Sequence, residues 1–237
     1  MRKLAPICLT QHLPARLGGL ILCLSMAVVA SADTLNFDPA NTWSGTAPGG
    51  SLSAAFTDVA GGVQLVIDSN LGAGENLDPN KALYLNISDS SLLSTLAFTL
   101  TANTGFSQAA TVLTGENAYR PDGDGYMDIL FTYDSATKAF TNGESQTYLI
   151  TGGAGLVASD FTTGWSYCPG NCNGPHLAAV HVQNTPNGGG GSAWVGGTVD
   201  TSVPEPSSTG LLFSALAVIG LGGRRWAGSK LAPARLQ

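Results

Sequence analysis

The stretch Tyr126-Met127-Asp128-Ile129-Leu130-Phe131-Thr132-Tyr133 alternates apolar and polar side chains with the period of a β-strand. Met127, Ile129, Phe131 and Tyr133 fall on one face and Tyr126, Asp128 and Thr132 on the other, with Leu130 as the exception. One dry and one wet face marks a strand of an antiparallel sandwich. On this reading Asp128 is on the solvent face. Working outward, runs of the same kind occur at Leu52 to Val59, Val63 to Ser69, Ala82 to Ile87, Ala97 to Thr101, Gln146 to Ile150 and Leu177 to Gln183, with a last short one at Trp194-Val195-Gly196. They are separated by Gly, Asn, Asp, Ser and Thr. Gly61-Gly62 predicts a hairpin turn and Asn142-Gly143 another. No stretch holds a helical period and no fixed repeat recurs. The expected fold is all-β, an antiparallel β-sandwich or jelly roll.

The chain has 237 residues, 43% of them hydrophobic and 11% charged, enough for one domain with a sizeable core. Charge is unevenly placed. Between Asp33 and Ser202 there are 15 acidic residues against only Lys81, Arg120 and Lys138, which leaves 12 net negative charges, whereas both ends are basic. Nucleic acid is a poor partner for such a body, because phosphates are bound by clustered Lys and Arg.

Both ends read as targeting segments. Arg2, Lys3 and Arg16 precede an apolar stretch from Leu17 to Val29, and Ala30-Ser31-Ala32 supplies the small residues of a secretory cleavage site, so residues 1–32 are expected to be a signal peptide. The apolar stretch is short of the roughly 20 residues that span a bilayer as a helix. Neither Cys8 nor Cys23 has the small residue before it that lipoprotein processing requires.

At the other end, residues 203–237 have three parts: Val203-Pro204-Glu205-Pro206-Ser207-Ser208-Thr209, an apolar run over 210–223, and a basic tail over 224–237 that opens with Arg224-Arg225. The prolines lack backbone donors and hold Glu205 in an extended segment that an enzyme can grip. The arginines resist translocation and keep their end cytoplasmic. A Pro-rich linker before a buried core helix is the competing reading.

This layout resembles the PEP-CTERM sorting signal. The resemblance implies recognition of Pro204, Glu205 and Pro206 by an exosortase, with Arg224 and Arg225 as stop-transfer charges. It also implies delivery through the general secretion machinery, transient anchoring in the inner membrane of a Gram-negative-type bacterium, and release to the cell surface or an exopolysaccharide-rich biofilm matrix. The stretch Ala178 to Gln183, followed by a Gly-rich loop over Asn184 to Ser192 and then Trp194, is similar to sandwich-like bodies of that family. That similarity implies no activity.

Candidate sites within the body, residues 33–202, are few. Cys168 and Cys172 are the only cysteines left after signal cleavage, and an exported chain meets an oxidising compartment, so a disulfide is expected. With His176 and His181 they also form a Cys-x3-Cys-x3-His-x4-His series of zinc-ligand types. Strand parity argues against zinc, since five residues' separation sends the two imidazoles to opposite faces. Asp122, Asp124 and Asp128 are candidate calcium ligands, because oxygen-rich acidic loops hold that ion. Their spacing does not fit an EF-hand, and a tight Asp-Gly turn explains the loop equally. No other cofactor is implied.

For catalysis, His176 and His181 are the only histidines of the body, and no Gly-x-Ser-x-Gly elbow occurs. Glu75, Glu116 and Glu144 sit in polar, turn-like stretches, and Glu75, Asp78 and Asp89 read as solvated surface carboxylates. The expectation is a non-enzymatic exported protein, structural or binding. The alternatives are a carbohydrate-active or other hydrolase, or a glycan- or ice-binding module, although Thr99, Thr101 and Thr104 do not make a flat threonine array.

Overall fold

A computed structural model describes residues 32–134 and 140–199. Thirteen strands occur among the described residues: β1 Ala32–Phe37, β2 Thr42–Gly45, β3 Ser51–Val59, β4 Gly62–Asn70, β5 Asn76–Leu77, β6 Leu83–Leu85, β7 Ala97–Thr104, β8 Thr111–Tyr119, β9 Met127–Thr132, β10 Ser145–Thr151, β11 Ala178–Thr185, β12 Gly191–Gly196 and β13 Thr198–Val199. Among the described residues the one α-helix, α1, is a single turn over Asp160–Thr163. The strands form two antiparallel sheets, ordered β13-β1-β3-β4-β10-β7 and β2-β12-β11-β6-β9-β8, with β5 paired to β11. The chain passes repeatedly between the sheets, so each closes around residues far apart in sequence.

Alternation in the strands builds the core between them. Leu52, Ala54 and Phe56 of β3 and Val63, Leu65 and Ile67 of β4 point inward from one sheet, and Leu83, Leu85, Ile129, Phe131, Val180 and Val182 from the other. Phe131 makes edge contacts with Phe98 at 5.4 Å and Tyr148 at 5.6 Å, which joins the layers. Gln146 is the one polar side chain fully enclosed there that binds two phenols. Its Oε1 accepts from Tyr133 at 3.1 Å and Tyr148 at 2.6 Å, and its Nε2 donates to the carbonyls of Phe106 and Gln108. Every polar atom of that amide is therefore satisfied, as a buried amide requires.

All eight strand segments expected from the sequence are present, several with shifted ends. The hairpin at Gly61-Gly62 is present too, with Val59 opposite Gly62 and Gly61 at φ +92°, a backbone region open to glycine. The Asn142-Gly143 turn differs from expectation. It leads from β9 in one sheet to β10 in the other and closes no hairpin, because Gly143 bonds back to Ser69 of β4. Thr198 and Val199, just before the C-terminal targeting segment, form β13 against β1.

Asp128 also departs from expectation, being buried with its carboxylate accepting from the backbone of Ile87 at 3.3 Å and Asn117 at 2.8 Å. The cause is a register shift between Thr114 and Tyr119 of β8, which re-aims the start of β9. Met127 leaves the main core for a second apolar cluster with Tyr84, Ala179 and Trp194, and Leu130 packs on that cluster too. The anomalous Leu130 thus reports that the outer face of the second sheet is partly covered.

Candidate functional site

The second cluster is built from ring-bearing residues on neighbouring strands. Trp194 of β12 is the register partner of His181 on β11, and Ser44 of β2, next to Trp43, is its partner on the other side. The rings form a column. His181 stacks on Trp194 at 4.4 Å between centroids, Trp194 lies 6.3 Å from Trp43, and Trp43 stacks on His176 at 4.1 Å. Tyr84 meets Trp194 edge-on at 5.6 Å.

Both imidazoles therefore lie on one side of the sheet, which corrects the parity argument. His176 precedes the first residue of β11, so the strand rule does not govern it. Gly196 allows the approach, since a Cβ there would lie 3.2 Å from Nδ1 of His176 and 3.4 Å from the Trp43 ring. Cys168 and Cys172 form a disulfide, with Cα atoms 6.2 Å apart, and the two thiolates a zinc site would need are consumed.

Each imidazole ends on a carboxylate. Nδ1 of His181 lies 2.9 Å from Oδ2 of Asp78, so the ring donates its Nδ1–H to that oxygen. His176 Nε2 is 3.6 Å from Oδ2 of Asp124, too far for a hydrogen bond. Burial lowers the pKa of His176, and the Asp124 charge only partly opposes this. Tyr84 is pushed up to about 12, by burial first and by Asp78 second. Among the described residues Nε1 of Trp43 and Nε2 of His176 are buried without a hydrogen-bond partner.

Two carboxylates expected on the surface are buried. Glu75 is 0% exposed and its carboxylate accepts from the backbone N–H groups of Gly49, Gly72 and Asn187, each at 2.7 Å. It thereby ties the Gly-rich β11–β12 loop to two other segments. Asp78 accepts from Asn80 as well as from His181. Asp89 matches the surface reading, with a fully exposed carboxyl held low by hydrogen bonds from Ser91.

The three candidate calcium ligands do not converge. Asp122 is exposed at φ +45° on a one-turn 3-10 segment, and Asp124 takes the Asn173 N–H on both oxygens at 2.9 and 3.0 Å. These two share a cavity of about 220 Å³ with Asn171, Cys172 and Asn173, whereas Asp128 is turned away to Ile87 and Asn117. No group of three or more His, Cys, Asp or Glu among the described residues is arranged to hold a metal ion.

A larger cleft, about 640 Å³, opens at the other side of His176. Its walls are the residue 40–42 segment, the end of α1 with Trp165, the residue 175–177 segment, and residues 196–199. Sequence reasoning did not find it, because no motif marks a cleft whose walls come from four separated stretches. The signal available was Trp165, a large apolar residue in a polar, loop-like stretch.

Val203, Pro204, Glu205, Pro206, Arg224 and Arg225 lie outside the described residues, as do the signal peptide before Ala32 and the apolar run 210–223. The family model for the PEP-CTERM protein-sorting motif matches residues 202–225. No curated protein and no solved structure matches the chain.

Proposed function

From the premise that the chain carries the PEP-CTERM sorting motif and is thereby an exosortase-targeted secreted protein, we propose that it is a non-enzymatic structural or binding protein of the cell surface or exopolysaccharide matrix. The motif match at residues 202–225 carries this reading. The motif implies export, a transient membrane-anchored state and exosortase as processing partner. Maturation then cuts near Glu205 and frees the body from its membrane run.

The character of the body supports the rest of the reading. Its 12 net negative charges keep it soluble and off anionic polymers without a dedicated contact. The histidine–carboxylate pairs suit packing better than catalysis, since each imidazole has one face closed by an indole. The experiment is fractionation of producing cells into inner membrane, surface, matrix and medium. Unaltered protein is expected at the surface or in the matrix, and a chain with Pro204, Glu205 and Pro206 all replaced by Ala in the inner membrane. The same distribution for both would refute the reading.

A further inference from the structure

We propose that the 640 Å³ cleft beside His176 is a binding site for an uncharged glycan, with Trp165 as its stacking platform. This rests on the matrix reading above and adds to it a place and a ligand class.

The first observation is charge. Among the described residues, none that lines the cleft is Asp, Glu, Lys or Arg, in a body that carries 12 net negative charges. Two carboxylates contact lining residues without being part of the lining: Asp33, which accepts from Oγ1 of Thr162 at 3.4 Å, and Asp124, 3.6 Å from Nε2 of His176. A polyanionic chain needs Lys or Arg to replace its counter-ions. A cationic ligand needs carboxylates. The cleft offers neither, and its histidine is held toward the neutral form by burial.

The second observation is the mixture of surfaces. Trp165 is 60% exposed on the cleft wall, which leaves a large ring surface open to a ligand. His176 stands in the same wall, its ring backed by Trp43 and fixed in orientation. Between these rings the walls present the hydroxyls of Thr42, Thr162, Thr163 and Thr198 and the amide of Asn41. Hydroxyls and amides both donate and accept. A sugar residue has the matching duality, a C–H face that packs on an aromatic ring and an equatorial rim of hydroxyls. Each of these hydroxyls already donates within the protein, to the carbonyls of Pro39, Ser159 or Asn36 or to Asp33, and Nδ2 of Asn41 donates to Oγ1 of Thr198, so the walls offer a ligand chiefly acceptor lone pairs, which sugar hydroxyls match and a purely apolar ligand does not. The volume lies in the range of ligand clefts.

The test is affinity electrophoresis of the purified exported protein in native gels containing dextran, laminarin, hydroxyethylcellulose, galactomannan, the polysaccharide isolated from the producing cells, or the polyuronate alginate. We expect retardation by at least one neutral polymer and none by alginate. Trp165→Ala should weaken that binding about tenfold or more, while Tyr167→Ala, which removes a ring 54% exposed but outside the cleft, should leave it unchanged. Both sites are exposed, so unfolding is not expected, and a thermal melt of each variant verifies it. Equal retardation of Trp165→Ala and unaltered protein overturns the proposal, as does retardation by alginate alone or by no polymer. The sorting experiment reads out separately: if only this inference fails, fractionation still depends on Pro204, Glu205 and Pro206, and if the matrix reading fails, it does not.

Discussion

Val199 is the antiparallel register partner of Leu35, so the last described strand of the body closes against the first. Leu35 is only three residues after Ala32, where β1 begins at the expected signal-cleavage point. The two ends of the exported body thus meet on one edge of one sheet. A chain cut anywhere on the C-terminal side of β13 would keep that pairing.

Truncation tests this. A chain ending at Ser202 should melt within about 1 °C of the full-length exported form. One ending at Gly196 loses β13 and the partly buried Val199, which should cost about 1–2 kcal/mol, a few degrees in the melting temperature. Thermal melts followed by circular dichroism give both numbers.

Glu75→Ala should be among the most damaging carboxylate substitutions. It leaves the N–H groups of Gly49, Gly72 and Asn187 without their acceptor, at about 1–3 kcal/mol for each buried donor that water cannot reach. Asp122→Ala, at an exposed position, should change stability by less than about 0.5 kcal/mol. Urea denaturation of the two variants checks the contrast.

The two carboxylates also show where the sequence stops being informative. Glu75 and Asp78 sit in a Gly- and Asp-rich stretch that reads as solvated loop, and their burial arises from β11, β12 and the loop between them folding over that stretch more than 100 residues later. Strands that alternate over most of their length, β3, β4 and β10, were legible because packing one face of a sheet on another needs that period, and β9 was legible from its sequence although its first residues depart from the pattern. β8 was not, since an edge strand whose positions are all exposed or part-buried has little pattern to read. β1 and β13 were missed for another reason: β1 is a strand through its pairing with β3, and the two residues of β13 are one only through their pairing with β1. The ring column needed the register of β2, β11 and β12 together.

Acid should destabilise the body partly through His176. Its folded pKa lies below the ordinary value of 6.5 because burial disfavours the cation. The unfolded chain then binds the proton more readily, so this contribution is fully present above about pH 6.5 and is lost as pH falls through the lower folded value. His176→Gln should flatten the melting-temperature profile below pH 6.5 relative to unaltered protein. An unchanged slope would show that His176 is not a source of that dependence.

Reduction of the Cys168–Cys172 disulfide should act locally. Closing so short a loop restricts the unfolded chain by about 2 kcal/mol in the loop-entropy treatment, roughly 4–8 °C for a body of this size. The near-ultraviolet signal of the Trp43–Trp194 pair should persist after reduction at 25 °C, because neither tryptophan depends on that loop for its strand pairing.

The most direct test of the central claim is the intact mass of the protein recovered from the surface or matrix of producing cells, measured with and without reductant. The account predicts a chain that begins at Asp33 and ends between Pro204 and Ser207, lighter by two hydrogens before reduction. A mass that retains residues 211–237 would contradict it, for the chain would then be a membrane-anchored protein that exosortase does not process.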